Sequence, residues 1–196
     1  MVTMAIMVIV TSIMLFNQAK FDSSTILRSL AYSVALSVRQ AQVYGTSVLG
    51  TSTPQVACNG FYSAGECYVS AYGVYFNAAS PGQYILFADL NNNGRYDTGE
   101  DIKVFSLNTN YTISQFCANG VNNGSNVSRC SPALINSLSI VFKRPNPDAQ
   151  FYADFNGTPI AGDVYTSATI QLQDPSDTTG PVRGVTVTNT GLISAQ

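Results

Sequence analysis

The chain has 196 residues, of which 10% are charged, with a net charge of −2, four cysteines and no histidine. A typical soluble protein carries about 25% charged residues; here Ser, Thr, Asn, Gly and Tyr carry the surface, a composition more usual outside the cell. The longest basic run is Lys143-Arg144, too little for nucleic-acid binding through counterion release, and the lack of histidine removes the commonest general base and the Ser-His and Cys-His nucleophile pairs.

The chain opens on MVTMAIMVIVTSIMLF, residues 1–16, uncharged and apolar all round. A surface helix would be amphipathic, a secretory signal would carry a basic flank and a small-residue cleavage site, and a bilayer span needs about 20 apolar residues. From Ser23 to Tyr44 there is neither Gly nor Pro, and apolar residues recur at Ile26, Leu27, Leu30, Val34, Val38 and Ala41. Steps of three and four predict one face of an amphipathic helix, with Gly45 as its stop. Nothing between Met1 and Gly45 breaks a helix, so residues 1–45 are expected as one rod of about 65 Å. Within it, residues 1–16 suit a membrane or a filament core, and residues 21–45 suit packing against a sheet.

From Thr46 the pattern changes to short Val-, Ile-, Tyr- and Phe-rich segments parted by Gly, Asn, Asp and Pro: CYVSAYGVYFN, QYILFADL, IKVFSL, LSIVFKRP, ATIQLQD and VRGVTVTNTGLISA. These predict strands of about five or six residues with turns between them, TNTG marking a closing hairpin. Residues 46–196 are thus expected to form a β-rich head. The expected class is α+β: a long N-terminal helix packed on an antiparallel β-sheet.

Cys58, Cys67, Cys117 and Cys130 allow three pairings. Their spacing favours Cys58–Cys67 and Cys117–Cys130, each closing a short Gly/Asn/Ser-rich loop, which implies an oxidising compartment. A four-cysteine zinc site would need tighter ligand pairs, and reduced structural thiols are the third alternative.

The stretch DLNNNGRYDTGE places Asp89, Asn91, Asn93, Gly94 and Glu100 at positions 1, 3, 5, 6 and 12 of a calcium-binding EF-hand loop, with the Arg95 carbonyl at position 7 and Asp97 at position 9. The flanks read as strands rather than helices, so the alternatives are a structural calcium loop in an extracellular β domain and a plain Asp/Asn/Gly turn. The remaining carboxylate pairs, Glu100-Asp101 and Asp174 near Asp177, fall in this loop and in a turn. No catalytic residue is assigned, and no enzyme is expected.

MVTMAIMVIVTSIMLFNQAKF followed by LAYSVALSVRQAQVYG resembles the N-terminal helix of type IV pilins and type II secretion pseudopilins. SVRQAQVYG and VRGVTVTNTGLIS resemble, more weakly, the helix end and closing hairpin of the H-type minor pseudopilins. The resemblance covers the helix specifically; the middle hundred or so residues carry little of it. It implies a short basic leader ending in Gly, then Phe-Thr-Leu-Ile-Glu-Leu, upstream of Met1, with cleavage and N-methylation by a prepilin peptidase. It further implies a single-pass anchor in the bacterial inner membrane with the head outside the cytoplasm, and assembly with other pilin or pseudopilin subunits into a filament. DNA-binding relatives cluster arginines in the last hairpin; only Arg183 stands there, so DNA is not an expected partner. The alternative is a membrane-anchored extracellular binding module that does not polymerise.

Overall fold

The computed structural model describes the backbone of residues 2–47, 50–51, 67–68, 71–107, 110–177 and 180–196, and the side chains of all of these save 14–22, 50–51 and 67–68. Helix α1 spans Val2–Thr46. Strands β1 (Gly50–Thr51) and β2 (Cys67–Tyr68) pair as a short ribbon. Strands β3 (Ala71–Asn77), β4 (Gln83–Asp89), β5 (Asp101–Ser106), β8 (Ser137–Lys143), β9 (Ala149–Phe155) and β10 (Thr158–Pro159) form a six-stranded sheet in the order β10-β9-β8-β3-β4-β5. Strands β6 (Thr112–Asn122), β7 (Ser125–Cys130), β11 (Asp163–Gln173), β12 (Arg183–Thr188) and β13 (Ile193–Ala195) form a five-stranded sheet in the order β13-β12-β11-β6-β7. The pairings in both sheets are antiparallel.

The expected α+β class is overturned. The fold is mostly β, built on two large antiparallel sheets rather than on one long helix laid along a single sheet. The side chains of residues 2–13 are all exposed, and among the described side chains of α1 burial begins at Leu27. Strands β11, β12 and β13 of the second sheet lie in segments expected as strands, whereas its hairpin β6–β7 runs through CANGVNNGSNVSRC, where Gly, Asn and Ser mimic a loop. Strand β9 (AQFYADF) was likewise unmarked, lying between Pro-rich and Asn-Gly punctuation.

One core joins the elements. Leu27, Ala31, Val34, Val38 and Ala41, spaced by three and four, turn inward from α1. They meet Val74, Phe76, Leu86, Ile140 and Phe142 of the six-stranded sheet, and Phe116, Ala118, Ile170, Leu172, Val185 and Val187 of the five-stranded sheet. Phe76 and Phe116 touch across the two sheets, with ring centroids 6.4 Å apart. The helix sits so close to β8 that a Cβ on Gly45 would lie 2.3 Å from the Phe142 carbonyl oxygen. Gly45 is therefore a contact residue; α1 continues past it to Thr46. Gln42 ties the helix to the closing hairpin, donating through Nε2 to the carbonyls of Pro147 and Gly191, both at 3.0 Å.

The outer face of the six-stranded sheet is also covered. Ala71, Phe87 and Val141 are buried there, with Tyr75, Ile85, Tyr96 and Tyr152 packed around them. Tyr96 belongs to the β4–β5 connection, which folds back over the sheet.

Candidate functional site

Asp89 ends β4 and Glu100 immediately precedes β5, so strand pairing holds both ends of DLNNNGRYDTGE; the Ala88 N–H donates to the Glu100 carbonyl at 2.9 Å. Asp89 accepts from the N–H groups of Asn93 (Oδ1, 3.1 Å) and Gly94 (Oδ2, 2.8 Å). Glu100 accepts from those of Leu90 (Oε1, 2.9 Å) and Asp97 (Oε2, 3.0 Å). The Asn91 and Asn93 amides both donate to Asp97 Oδ2, at 2.8 and 2.7 Å. The sequence-predicted donors Asp89, Asn91, Asn93, Asp97 and Glu100 thus share one hydrogen-bonded loop. Arg95 sends its guanidinium outward, donating through Nε to Asp154 Oδ1 at 2.8 Å and lying 5.2 Å from the centre of the Tyr152 ring. Gly94 has φ +79° and its position faces Tyr152, where a Cβ would come within 2.2 Å of the ring; backbone conformation and space both demand glycine.

Asp89 and Glu100 are buried. Burial pushes both carboxyls above the usual range, against the pull of the backbone N–H donors; Asp89 and Asp97 add to the rise at Glu100. Each carboxylate oxygen keeps acceptor capacity beyond the bond it makes. Three carboxylates and two carboxamides form a hard-oxygen set of the kind calcium takes. Among the described residues no group of three or more His, Cys, Asp or Glu side chains is gathered as a metal site, so the loop would have to draw inward around an ion.

Cys117 and Cys130 are bonded (S–S 2.05 Å) and stand directly opposite each other on β6 and β7. The bond staples a hairpin instead of closing a loop. Cys58 and the side chain of Cys67 lie outside the described residues, and with them the other expected pair. Nothing in the sequence pointed to a second polar cluster, since its members are remote in the chain. Asp163, whose side chain is fully covered, accepts from Arg129 Nε (2.8 Å), Asn122 Nδ2 and the Tyr165 hydroxyl (3.0 Å). Arg129 is the main cause holding its carboxyl below the usual range.

The other conspicuous surface is α1 itself. Val2, Met4, Ile6, Met7, Val8, Ile9, Val10 and Ile13 are all exposed, Met4 at 77%. The outward side of the packed half adds Ile26, Tyr32, Leu36 (69% exposed) and Val43, with Leu192 exposed on the closing hairpin. No helix among the described residues is long and apolar enough to cross a membrane.

No family model matches this chain, and neither a curated protein nor a solved structure does.

Proposed function

We propose that this chain is a structural subunit, of the minor pilin or pseudopilin kind, that assembles with like subunits through α1. The observation that carries the reading is the apolar exposure of the helix: residues 2–13 present no charged side chain and have no cover within the molecule. Exposed apolar area of this extent marks an interaction or membrane surface. Neighbouring helices in a filament are the lasting cover in this reading, and the inner membrane is the place where the subunit waits, head outward, before assembly. The disulfide Cys117–Cys130 agrees with a head folded in an oxidising compartment, and calcium at Asp89–Glu100 would serve its stability. The chain does no chemistry in this role.

The test is mass spectrometry of the protein isolated from its native cells, from both the membrane and any sheared surface filaments. The expected result is a methylated N-terminal residue upstream of Met1, followed by a glutamate-containing stretch, in protein recovered from filaments. A mature protein with an unmodified amine at Met1, confined to the membrane fraction, would reject assembly and leave the anchored binding module.

A further inference from the structure

On the outer face of the six-stranded sheet a cleft of about 360 Å³ opens between the β3–β4 turn and loop residues 96–98. This lies toward the lower end of the ~300–1,000 Å³ range of small-ligand sites. Its floor is Tyr75 and Ile85, which point away from the core because Val74 and Leu86 point into it. Tyr96 leans against Tyr75, with ring centroids 4.8 Å apart, and forms one wall. Ser80 and Gln83 stand on one rim, Asp97 and Thr98 on the other. Among the described residues the side chains of Ser80, Gln83 and Thr98 have no hydrogen-bond partner, and the bonds of Asp97 all go to Oδ2, leaving Oδ1 free.

We propose that this cleft binds a neutral saccharide unit. A sugar offers apolar C–H faces and a ring of hydroxyls that both donate and accept. The cleft answers with the Tyr75 ring at its base and the Tyr96 ring in its wall and, around them, an amide, two hydroxyls and a carboxylate oxygen. Among the described residues no cation lines it, so phosphate and carboxylate ligands find no counter-charge there. Strands β3 and β4 are each paired on both sides, so there is no free strand edge here for an extended peptide to join. The site is independent of filament assembly: it lies on the head, and α1 contributes nothing to its lining.

The experiment uses the full chain, isotope-labelled, in micelles of a zwitterionic detergent that carries no sugar headgroup. Methyl glycosides of glucose, galactose, mannose and N-acetylglucosamine are titrated to about 20 mM, enough to saturate a site with a dissociation constant near 1 mM. At least one should produce saturable NMR shifts at Tyr75, Gln83 and Thr98. Gln83→Ala and Thr98→Val, both rim changes that leave the tyrosine packing in place, should each weaken that binding about tenfold without disturbing the rest of the spectrum. The proposal is overturned by the absence of a saturable shift with all four glycosides, by shifts mapping away from the cleft, or by binding that both variants retain unchanged.

Discussion

The side chain of Asp163 is covered, and it stays ionised because Arg129, Asn122 and Tyr165 all donate to it. Its folded pKa lies below the ordinary carboxylate value, the Arg129 hydrogen bond being the main cause, so the stability it contributes is present above about pH 4 and is lost as pH falls through the lowered folded value. Asp89 and Glu100 have the opposite sign: burial raises their folded values, and they favour the folded state fully only below the ordinary range, losing that contribution as pH rises through the folded values. The two sites can be separated by substitution. Asp163→Asn should cost about 1–3 kcal/mol at pH 7, read as a lower melting temperature, and the gap to the parent should close as melts are repeated toward pH 3. A gap that stays constant over that range would mean the Arg129–Asp163 pair contributes shape but no ionic stabilisation. None of this cluster could be read from the sequence, because Asn122, Arg129 and Asp163 meet only through the registers of β6 with β7 and β11. A reader of the chain sees three unrelated polar residues.

Among the elements, the loop between β4 and β5 was the most legible, since position-by-position spacing of oxygen donors is a local property. What spacing could not supply is the anchorage: Arg95 on Asp154, and Tyr96 on Tyr75 and Phe87. These contacts fix the loop from the far strand β9 and from the sheet face, so the inward shift an ion requires falls on residues 89–93 and 97–100 rather than on the anchored Arg95 and Tyr96. Calcium should relieve the repulsion of Asp89 and Asp97 on Glu100 and the burial cost of Asp89 and Glu100. At roughly a hundredfold excess over its dissociation constant it should raise the melting temperature by about 5–10 °C relative to chelator at pH 7, and Asp97→Asn should remove most of that gain. Melting that is indifferent to calcium up to extracellular millimolar levels would identify the loop as a plain turn. The hairpin β6–β7 was illegible for the converse reason. Its Asn123-Gly124 pair, with φ of +48° and +81°, is a strong tight-hairpin signal, yet its flanks are polar, and a strand with little apolar alternation announces itself only through its partners. The same dipeptide, Asn156-Gly157 at +51° and +74°, joins β9 to the short β10. Two punctuated stretches thus hid one edge hairpin in each of the two sheets.

At the scale of the whole molecule, α1 has two sides with different obligations. Leu27, Val34 and Val38 are wholly buried in the core, whereas Leu36 and Val43, on the same turns, are exposed, as are the apolar residues from Val2 to Ile13. The three-and-four periodicity in the sequence located most of the inward side, since Leu27, Val34, Val38 and Ala41 lie in the core and Leu30 packs against it, but Ile26 is exposed and Ala31 takes a core place instead. It was silent about the outward side, because an apolar residue off the predicted face looks like scatter until its exposure is known. If the outward side exists to receive other copies, the two sides must respond differently to the same change. Leu27→Ala should lower the stability of the isolated subunit by about 2–5 kcal/mol. Leu36→Ala should leave it within about 0.5 kcal/mol while sharply reducing the yield of filaments, or of higher oligomers when detergent is diluted away. Thermal melts in detergent report the first quantity, and sedimentation with electron microscopy reports the second. Equal destabilisation by both substitutions would show that the outward side is already covered within one molecule. Undiminished assembly by Leu36→Ala would move the interface elsewhere, since a residue exposed in the subunit and irrelevant to assembly gives no reason to place a neighbour's helix against it.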